Sequence, residues 1–423
     1  MIKIDRRHFL ATTAATGVAL AAPRSARAAS ANEKLVLAIM GTNGRGSDLA
    51  KSFATQPNVE IAYICDPDDQ AIGKGIAAAT VAGGPTPQGI KDFRRALDDS
   101  AVDALVCAAP NHWHAPATLL GCQAGKHVYV EKPCSHTAAE GELMVAAARK
   151  HDRVVQHGTQ RRSAPKYIEL AQRLRDGLIG NIHFARTWYY SPRPTIGRVQ
   201  PSPPPAGLDY NLWQGPAPEL PYQSNFVHYN WHWFWNWGNG ELGNNGVHML
   251  DVCRWVMGVD YPQTVSIGGG RYRYDDDQQT PDTVLANYHF GDRLLVWEGL
   301  SWSRPTAGQP GVGMEFRGSE GTVIASDDAY TVYGPDGKKT TQETVGFDMQ
   351  PHIDNFLAAI RNGTKLNADI EEAHKSALLC HLGNIAYRTG HTLQCDPANG
   401  RIKNDSDAEA LWKREYRTGW GLS

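Results

Sequence analysis

The chain has 423 residues, of which 41% are hydrophobic, and a formal net charge of −2 at pH 7. A chain of this length is too long to fold around one ordinary hydrophobic core, so we expect two domains. The near-neutral charge argues against nucleic-acid binding and against attraction to an anionic membrane surface. Seven scattered cysteines form no CxxC pair, which indicates small core residues and neither a disulfide framework nor a metal site.

The N-terminus has the organisation of a targeting segment. Arg6 and Arg7 are followed by His8-Phe9-Leu10, a weakly apolar Ala/Thr-rich stretch, and an A-x-A sequence ending at Ala28. The apolar stretch is too short to cross a bilayer. We therefore predict that residues 1–28 are a twin-arginine signal peptide, which implies a periplasmic or otherwise exported protein with no membrane association after cleavage. The alternative is a disordered or amphipathic leader whose paired arginines are accidental.

The first predicted strand is the apolar run 35–40, and a glycine-rich turn and a helix to about Gln56 follow it. Strand, turn and helix in this order form a dinucleotide-binding arrangement, in which backbone amides face a pyrophosphate. The fingerprint expects glycine where Asn43 stands, although asparagine tolerates a left-handed backbone. The predicted cofactor-binding residues of the turn are Gly41, Thr42, Asn43, Gly44, Arg45 and Gly46.

The second predicted strand, 59–65, ends on an acidic residue, Asp66. A carboxylate at this position accepts hydrogen bonds from both ribose hydroxyls and repels a 2′-phosphate. The cofactor that this pattern favours is NAD and not NADP.

Alternating strands and helices continue to about residue 157. A loop at 83–89 precedes the following predicted elements: helix 92–99, strand 103–109, helix 115–124, strand 127–130, helix 136–150 and a strand at 154–155. Such alternation predicts a parallel, doubly wound Rossmann sheet over residues 33–157. The strand 127–130 ends on Glu131-Lys132-Pro133, at the edge where open α/β sheets bind their ligands. A surface ion pair before a helix-starting proline is the alternative interpretation.

From Gly158 the pattern changes to long consecutive strands. After a helix at 164–176 we predict strands at 182–190, 263–273, 282–290, 293–302, 312–317 and 321–325, with late helices at 350–361 and 369–389. This order is typical of an α+β domain with a large, mostly antiparallel open sheet. We assign residues 158–423 to this second domain, and to substrate binding and oligomerisation.

Two stretches of the second domain carry candidate chemistry. Tryptophans 231, 233, 235 and 237 alternate with polar residues, and in an extended segment they would share one side. Aromatic faces beside polar donors suit a carbohydrate, although an aromatic core plug is the alternative. Downstream, Asn244 is a predicted N-cap, and His248 in the first turn would be held neutral by the helix dipole. Asp251 could simply hold that histidine in place.

Together these motifs resemble the glucose–fructose oxidoreductase and inositol dehydrogenase family (Gfo/Idh/MocA). The resemblance rests on the glycine turn, Asp66, PNHWH at 110–114, GKHVYVEKP at 125–133, GTQRR at 158–162 and GNNGVHMLD at 243–251. It implies catalytic roles for Lys132, His248 and Asn244, with Asn244 standing where many members have aspartate. Further cofactor-binding residues that it implies are Pro110, Asn111, His114, Glu131, Lys132 and Gln160. The predicted substrate-binding residues are Arg161, Tyr229, His232, Trp233, Trp235 and His248.

The function we predict combines these motifs with export. An exported enzyme has no soluble nicotinamide pool, so its NAD should be tightly bound and regenerated within the cycle. We predict an NAD-dependent oxidoreductase that acts on a sugar or glycoside CH–OH group. The alternative is an NAD-dependent glycoside hydrolase, which acts by transient oxidation of the glycoside, elimination and re-reduction. A non-enzymatic sugar-binding protein is the third hypothesis. By resemblance, we also expect a homo-oligomer formed through the open face of the second sheet.

Overall fold

A computed structural model describes residues 34–346 and 348–421. The predicted signal peptide, residues 1–28, lies outside these residues. No helix of the described part is both long and apolar enough to cross a membrane.

The first sheet is six-stranded and parallel. Its strands are β1 (Leu35–Met40), β2 (Val59–Cys65), β3 (Gln88–Ile90), β4 (Ala104–Cys107), β5 (His127–Val130) and β6 (Val155–His157), in the order β3-β2-β1-β4-β5-β6. Continuous apolar runs form these strands because helices cover both faces of the sheet. The predicted doubly wound parallel sheet is confirmed, and β3 is a strand within the segment that we predicted to be a loop.

Helices alternate with these strands: α1 (Arg45–Ala54), α2 (Asp69–Ala79), α3 (Arg94–Leu97), α4 (Asn111–Gln123) and α5 (Ala138–Lys150). Thr137 and Glu140 form a capping box at the start of α5, which satisfies amides that the helix leaves free. Helix α4 begins four residues earlier than the predicted start at 115, and Pro110 precedes its first residue. The early start brings Asn111 to His114 into a helix at the end of β4.

The second sheet has nine strands in the order β14-β13-β12-β11-β7-β10-β9-β8-β15. They are β7 (Ile182–Tyr190), β8 (Thr264–Gly270), β9 (Thr283–His289), β10 (Leu294–Leu300), β11 (Val312–Gly318), β12 (Gly321–Ala325), β13 (Ala329–Tyr333), β14 (Lys339–Thr344) and β15 (Leu393–Gln394). All neighbours pair antiparallel except β7 and β10. The predicted large, mostly antiparallel sheet is confirmed, although β13 to β15 were not predicted.

The helices of the second half are α6 (Pro165–Arg175), α7 (Tyr210–Gln214), α8 (Val247–Met257), α9 (Gln350–Asn362), α10 (Ile370–Thr389) and α11 (Ser406–Ala410). Helices α6, α8 and α10 contribute to the core beneath the second sheet. Helices α9 and α10 also return to the first sheet, where Ile353, Phe356 and Ile370 are fully buried. The two sheets are therefore joined through α10, whose residues pack in the cores of both.

One loop of the second half crosses the carboxyl ends of the first sheet. The Asp209 amide donates to the Pro67 carbonyl (2.9 Å), and Lys91 Nζ donates to the Gly207 carbonyl (2.9 Å). An isolated bridge joins Asp68 to Leu208. We call residues 207–213 the strap. It covers the strand ends at which a doubly wound sheet binds its ligand.

Candidate functional site

A cleft of about 360 Å³ lies at the carboxyl ends of β1, β2, β4 and β5. Its floor is the glycine turn and the strand ends, and its roof is the strap together with the segment after His228. The predicted site residues that line it are Gly41, Asn43, Gly44, Arg45, Asp66, Pro110, Asn111, His114, Glu131, Lys132, Tyr229, His232 and Asn244. Most of the predicted site residues are thus brought to one cavity.

The glycine turn has the shape of a phosphate cradle. Gly41 has φ +83°, and a Cβ there would lie 2.5 Å from the backbone of Ala109. A Cβ on Gly46 would collide with the Gly41 carbonyl. The absence of side chains lets the backbone turn tightly and leaves the N-terminus of α1 facing the cleft, where its amides and dipole favour an anion. Asn43 does not adopt positive φ; its Oδ1 accepts from Lys74 Nζ (2.7 Å).

Asp66 closes one end of the cleft. Its Oδ2 accepts from the Thr42 amide (2.7 Å) and its Oδ1 from the Asp68 amide (3.0 Å). Burial raises the pKa of Asp66 to about 6, although these two amides oppose the shift. Each carboxylate oxygen has a further lone pair, so the group fits a ribose diol. The cradle and this carboxylate together fit NAD.

Glu131 lies in the middle of the cleft and pairs with Arg45, whose Nε donates to Glu131 Oε1 (2.8 Å). Burial acts to raise the pKa of Glu131, but the charges of Arg45 and Lys132 hold it below its ordinary value. Gln160 Nε2 donates to Glu131 Oε1 (3.3 Å). Glu131 is therefore an ionised, fixed carboxylate beneath the position of Lys132.

Lys132 is held against the second domain. Its Nζ donates to the backbone carbonyl of Asn244 (2.8 Å) and to Asn244 Oδ1 (3.0 Å). Burial lowers the pKa of Lys132, and the negative charges of Glu131 and Glu241 oppose that shift. A fixed ammonium group at the boundary between the two halves can stabilise negative charge on a substrate oxygen.

Glu241 is a site residue that the sequence motifs did not indicate. It is almost completely buried, and Arg193 Nε donates to its Oε2 (2.9 Å). Its Oε1 accepts from the amides of Asn244 (3.4 Å) and Asn245. The carboxylate missing at position 244 is thus present one turn earlier in the same helix. The amide of Asn244 is oriented so that its oxygen faces Lys132.

His248 is the second residue of α8, but the start of α8 is not a free helix end. A π-helical turn, Leu242–Gly246, precedes α8, and Asn244 lies inside it and caps nothing. The predicted N-cap and the dipole effect on His248 are therefore wrong. Burial, and then the charges of Arg161 and Lys132, place the pKa of His248 well below 6.5, so the imidazole is neutral for a different reason. Asp251 pairs with Arg162 and not with His248.

The tryptophan-rich stretch is not extended. Residues Asn230–Trp233 form a 3₁₀ turn, and the prediction that its tryptophans share one side is wrong. Trp233 and Trp237 are buried in an aromatic cluster, whereas Trp235 packs on Tyr387. Only Trp231 of this group lines the cleft. The bends satisfy backbone groups locally, for example through the bond from the Trp231 amide to the Phe226 carbonyl.

Several predicted site residues lie behind the lining or away from it: Thr42, Gly46, Gln160, Arg161, Trp233, Trp235 and His248. Arg161 pairs with Asp327. The cleft also contains residues that were not predicted: Lys91, Trp113, Leu212, Trp213, His228 and Trp231. His228 reaches Asp68, with Nε2 to Oδ2 at 2.6 Å. Trp113 belongs to the PNHWH motif, and His228 and Trp231 belong to the tryptophan-rich stretch. Lys91, Leu212 and Trp213 come from the loop before α3 and from the strap, where no local signal marks them.

Two family profiles match the chain. The profile described as "Oxidoreductase family, NAD-binding Rossmann fold" matches residues 35–159, and "Oxidoreductase family, C-terminal alpha/beta domain" matches residues 183–422. The fold and the site thus define a two-domain, NAD-binding oxidoreductase. The chain belongs to the Gfo/Idh/MocA oxidoreductase family. The prediction of the family and of NAD as its cofactor is confirmed.

Curated relatives share parts of the chain. A glycosyl hydrolase family 109 protein of Saccharopolyspora erythraea is 30% identical over 163 residues, which cover 38% of this chain and 36% of that protein. Inositol 2-dehydrogenase 1 of the same organism is 33% identical over 144 residues, covering 34% and 42%. The chain spans only 36%, 38% and 30% of the length of three family 109 relatives that it matches.

Solved structures share the fold over most of the chain. Aldose-aldose oxidoreductase from Caulobacter crescentus, complexed with glycerol, is 20% identical with a TM-score of 0.66, covering 86% of this chain and 100% of that one. A levoglucosan dehydrogenase complexed with NADH and levoglucosan is 17% identical with a TM-score of 0.66, covering 86% and 99%. At these identities the likeness concerns the fold.

Proposed function

We propose that this protein oxidises a CH–OH group of a neutral sugar or glycoside, with NAD that stays bound and is regenerated within the catalytic cycle. The observation that carries the proposal is the single cleft that joins a nucleotide cradle at Gly41 to Lys132, Asn244 and His232. When bound, NAD supplies the hydride acceptor for the oxidised carbon. The residues of the chain supply binding, orientation and proton transfer.

Lys132 is the electrostatic catalyst of this mechanism. Its Nζ is held by the two Asn244 oxygens, and it stabilises the alkoxide that forms as hydride leaves. The neutral imidazole of His248 accepts the hydroxyl proton. His248 has no hydrogen-bond partner among the described residues, and its Nδ1 is buried. The imidazole is half-buried, and Nε2, which unlike Nδ1 is not buried, is the nitrogen that can bond to a ligand.

The charges lining the cleft favour a neutral substrate. The lysines and arginines among its lining residues are Arg45, Lys91 and Lys132. Arg45 pairs with Glu131, Lys91 with Asp69, and Lys132 with the Asn244 oxygens. Because Arg45 and Lys91 already pair with carboxylates and Lys132 is assigned to the alkoxide, none of these three side chains is left to bind a carboxylate on the sugar.

The strap supports a cofactor that is retained. Leu212 and Trp213 line the cleft, and the Trp213 carbonyl accepts from Trp113 Nε1 (2.9 Å) and from His112 Nε2 (3.0 Å). Release of a dinucleotide requires the strap to separate from α4. Such a barrier slows dissociation and suits an enzyme that regenerates NAD without exchanging it.

The second candidate is an NAD-dependent glycoside hydrolase. Three relatives named glycosyl hydrolase family 109 protein favour it. Oxidation would acidify the neighbouring carbon, elimination would release the aglycone, and re-reduction would follow addition of water. A sugar-binding protein without activity does not require both Lys132 and His248.

The proposal includes export and assembly. Arg6-Arg7 and the A-x-A sequence before residue 29 support transport of the folded protein. We also propose a homo-oligomer formed through the open face of the second sheet, with domain boundaries at 33–157 and 158–423. Light scattering of the mature protein tests the assembly: a monomeric mass at micromolar concentration would contradict it.

The experiment that tests the function uses the purified protein without added nucleotide. Neutral sugars and glycosides are added one at a time, and the near-ultraviolet absorbance of reduced nicotinamide is recorded. We expect one substrate equivalent to reduce the bound nucleotide, and a second carbonyl compound or the released product to reoxidise it. Reduction only in the presence of excess free NAD would contradict a closed cycle.

A further inference from the structure

Arg193, three residues after β7, lies outside the cleft lining, yet its contacts lead to the catalytic lysine. Its Nε donates to Glu241 Oε2 (2.9 Å), and its Nη2 donates to Glu241 Oε1 (3.4 Å). A guanidinium group that meets a carboxylate through two N–H groups holds it in one orientation. Because the Glu241 side chain is almost completely buried, its charge would be unstable there without this partner.

Glu241 in turn orients Asn244. Its Oε1 accepts from Asn244 Nδ2 (3.4 Å) and also from the side-chain amide of Asn245. Since an ionised carboxylate can only accept hydrogen bonds, the Asn244 amide must present its NH₂ group to Glu241. The amide oxygen then faces away from the carboxylate, where it accepts from Lys132 Nζ (3.0 Å). A Glu241 side chain that gained a proton could also donate, and it would no longer impose this orientation.

The two bonds to Asn244 leave one N–H group of Lys132 for a ligand. Its ammonium group has three N–H groups, of which two donate to the Asn244 backbone carbonyl (2.8 Å) and to Oδ1 (3.0 Å). Within the described residues Nζ makes no other hydrogen bond. The direction of the third N–H group therefore depends on the two Asn244 oxygens, one of which depends on Glu241.

The ion pair also acts on Lys132 through its charges. Burial is the main cause that lowers the pKa of Lys132; the charge of Glu241 opposes this shift, and the charge of Arg193 adds to it. Because the two charges act in opposite directions, removing either one should shift the ionisation of Lys132 in a direction that identifies which one was removed.

The same guanidinium group supports the wall of the cleft. Arg193 Nη1 donates to the Tyr229 hydroxyl (2.9 Å), and Cζ lies 4.9 Å from the centre of the Trp233 ring. Tyr229 lines the cleft, whereas Trp233 is buried. Packing on a buried ring fixes the plane of the guanidinium group. Trp233, which we predicted to bind the substrate, thus has a supporting role.

Resting on the proposed function, we propose that Arg193 is a positioning residue of the oxidation, which acts through Glu241 and Asn244 on the ammonium group of Lys132. Arg193 does not touch the substrate in this role. Without Arg193 the buried Glu241 either gains a proton or attracts Lys132. In both cases Lys132 is no longer held by Asn244, so hydride transfer slows, while NAD at the glycine turn stays bound.

The test measures the rate at which a saturating sugar reduces the bound nucleotide of the full-length mature protein. The sugars are glucose, galactose, N-acetylglucosamine and their methyl glycosides. We expect Arg193→Gln to lower the rate by about 10²-fold, the effect of a small displacement of a catalytic group. The amount of nucleotide released by denaturation should equal that of wild type. Arg198→Gln, which breaks an exposed ion pair with Asp275 on the same loop, should behave as wild type.

A double-variant comparison tests whether Arg193 acts through Glu241. Glu241→Gln interrupts the same chain of contacts and should also lower the rate by about 10²-fold. The double variant Arg193→Gln/Glu241→Gln should lose no more than either single variant, because residues that act through one another are not additive.

The pH dependence of the rate gives a readout that a merely structural role would not move. The rate should fall at alkaline pH as Lys132 loses its proton. Arg193→Gln removes a positive charge, which raises the pKa of Lys132, so this alkaline limit should move to higher pH. Glu241→Gln removes a negative charge and should move the limit to lower pH. Arg193→Lys keeps the charge but not the two-pronged contact, so it should retain the wild-type limit and recover part of the rate.

The outcomes separate this inference from the proposed function. No reduction of the nucleotide by any sugar in wild type would contradict the proposed function and, with it, this inference. An unchanged rate in Arg193→Gln, or a double variant whose loss is the product of the two single losses, would overturn the role of Arg193 alone. Alkaline limits that stay in place, or that move in the same direction in both single variants, would do the same. If Arg193→Gln does not fold, a wild-type rate in the isosteric Glu241→Gln would overturn the proposal.

Discussion

Among single residues, Lys132 is the one that connects the first domain of the site to the second. Its ammonium group binds the Asn244 oxygens, and the charge of Glu131 opposes the lowering of its pKa by burial, whereas the nucleotide cradle is formed by the glycine turn. We expect Lys132→Met to lower turnover by about 10²–10⁴-fold, because the alkoxide loses its nearest cation. Bound nucleotide should be retained at the wild-type ratio, measured after denaturation. Lys150→Met, at an exposed site, is the control, and loss of nucleotide in Lys132→Met would contradict the assignment.

The presence of asparagine and not aspartate at position 244 is explained by its neighbour Glu241. Restoring the aspartate that many relatives of the family carry would place two carboxylates together, because Asn244 Nδ2 now donates to Glu241 Oε1. We expect Asn244→Asp to lower the free energy of unfolding by about 1–3 kcal/mol at pH 7.5. The cost should shrink as the pH falls, since one carboxylate of the pair gains a proton. Urea unfolding at several pH values measures it.

The double variant Glu241→Gln/Asn244→Asp provides the control for that pair. Because Glu241→Gln removes one carboxylate of the pair, the double variant should regain most of the lost stability. Asn399→Asp, at an exposed position, should have no measurable effect on the free energy of unfolding. An Asn244→Asp protein as stable as wild type at neutral pH would show that Glu241 does not determine the residue at position 244.

At the scale of elements, we propose that the strap slows dissociation of the nucleotide. Leu212 lines the cleft and is only half-buried, so Leu212→Ala removes a contact over the cradle with little cost to the core. We expect nucleotide to dissociate at least about tenfold faster, measured by fluorescence after dilution, because each 1.4 kcal/mol of lost contact is a factor of ten. Leu220→Ala, on the same loop but outside the cleft, is the control. Equal dissociation rates for both variants would exclude the strap from cofactor retention.

The site residues that could be predicted from the sequence are those whose positions depend on neighbouring residues in the chain. Asp66, Glu131 and Lys132 directly follow buried apolar strands, and parallel strands bring their carboxyl ends to one edge. The strap and the segment at His228 could not be predicted because their contacts join distant residues, such as Asp209 with Pro67 and His228 with Asp68. Each of these contacts depends on the tertiary course of a proline-rich loop.

Local sequence patterns gave wrong predictions for the tryptophans and for Asn244. Alternating aromatic and polar residues fit an extended strand, but the 3₁₀ turn at Asn230–Trp233 buries some rings and turns His232 towards the cleft. The capping preference of asparagine suggested a helix start, whereas a π-helical turn continues into α8. Both departures lie in the site itself, where contacts with Lys132 and Arg193 outweigh local preference.

At the scale of the whole molecule, buried histidines make stability dependent on pH. Burial lowers the pKa of His157 and His381 to about 3, and that of His352 and His374 to about 4. The unfolded chain protonates these groups near pH 6.5, so it binds more protons than the folded chain below that pH. Stability is therefore present in full above about pH 6.5 and falls as the pH drops towards 4.

This dependence can be measured by urea unfolding between pH 7.5 and pH 5. We expect a loss of about 1–2 kcal/mol for each of these histidines by pH 5. His381→Gln should reduce the slope by close to one proton, while His391→Gln, on the surface, should leave it unchanged. A free energy of unfolding that is constant over this range would contradict neutral burial of the imidazoles.

We propose that the enzyme keeps its own NAD through the catalytic cycle. The most direct measurement purifies the mature protein through extensive gel filtration, denatures it, and identifies the released nucleotide by mass spectrometry. We expect NAD or NADH at close to one per chain, held by the Gly41 cradle and Asp66 and covered by the strap. NADP would contradict the role of Asp66, and a protein free of nucleotide would contradict the closed cycle.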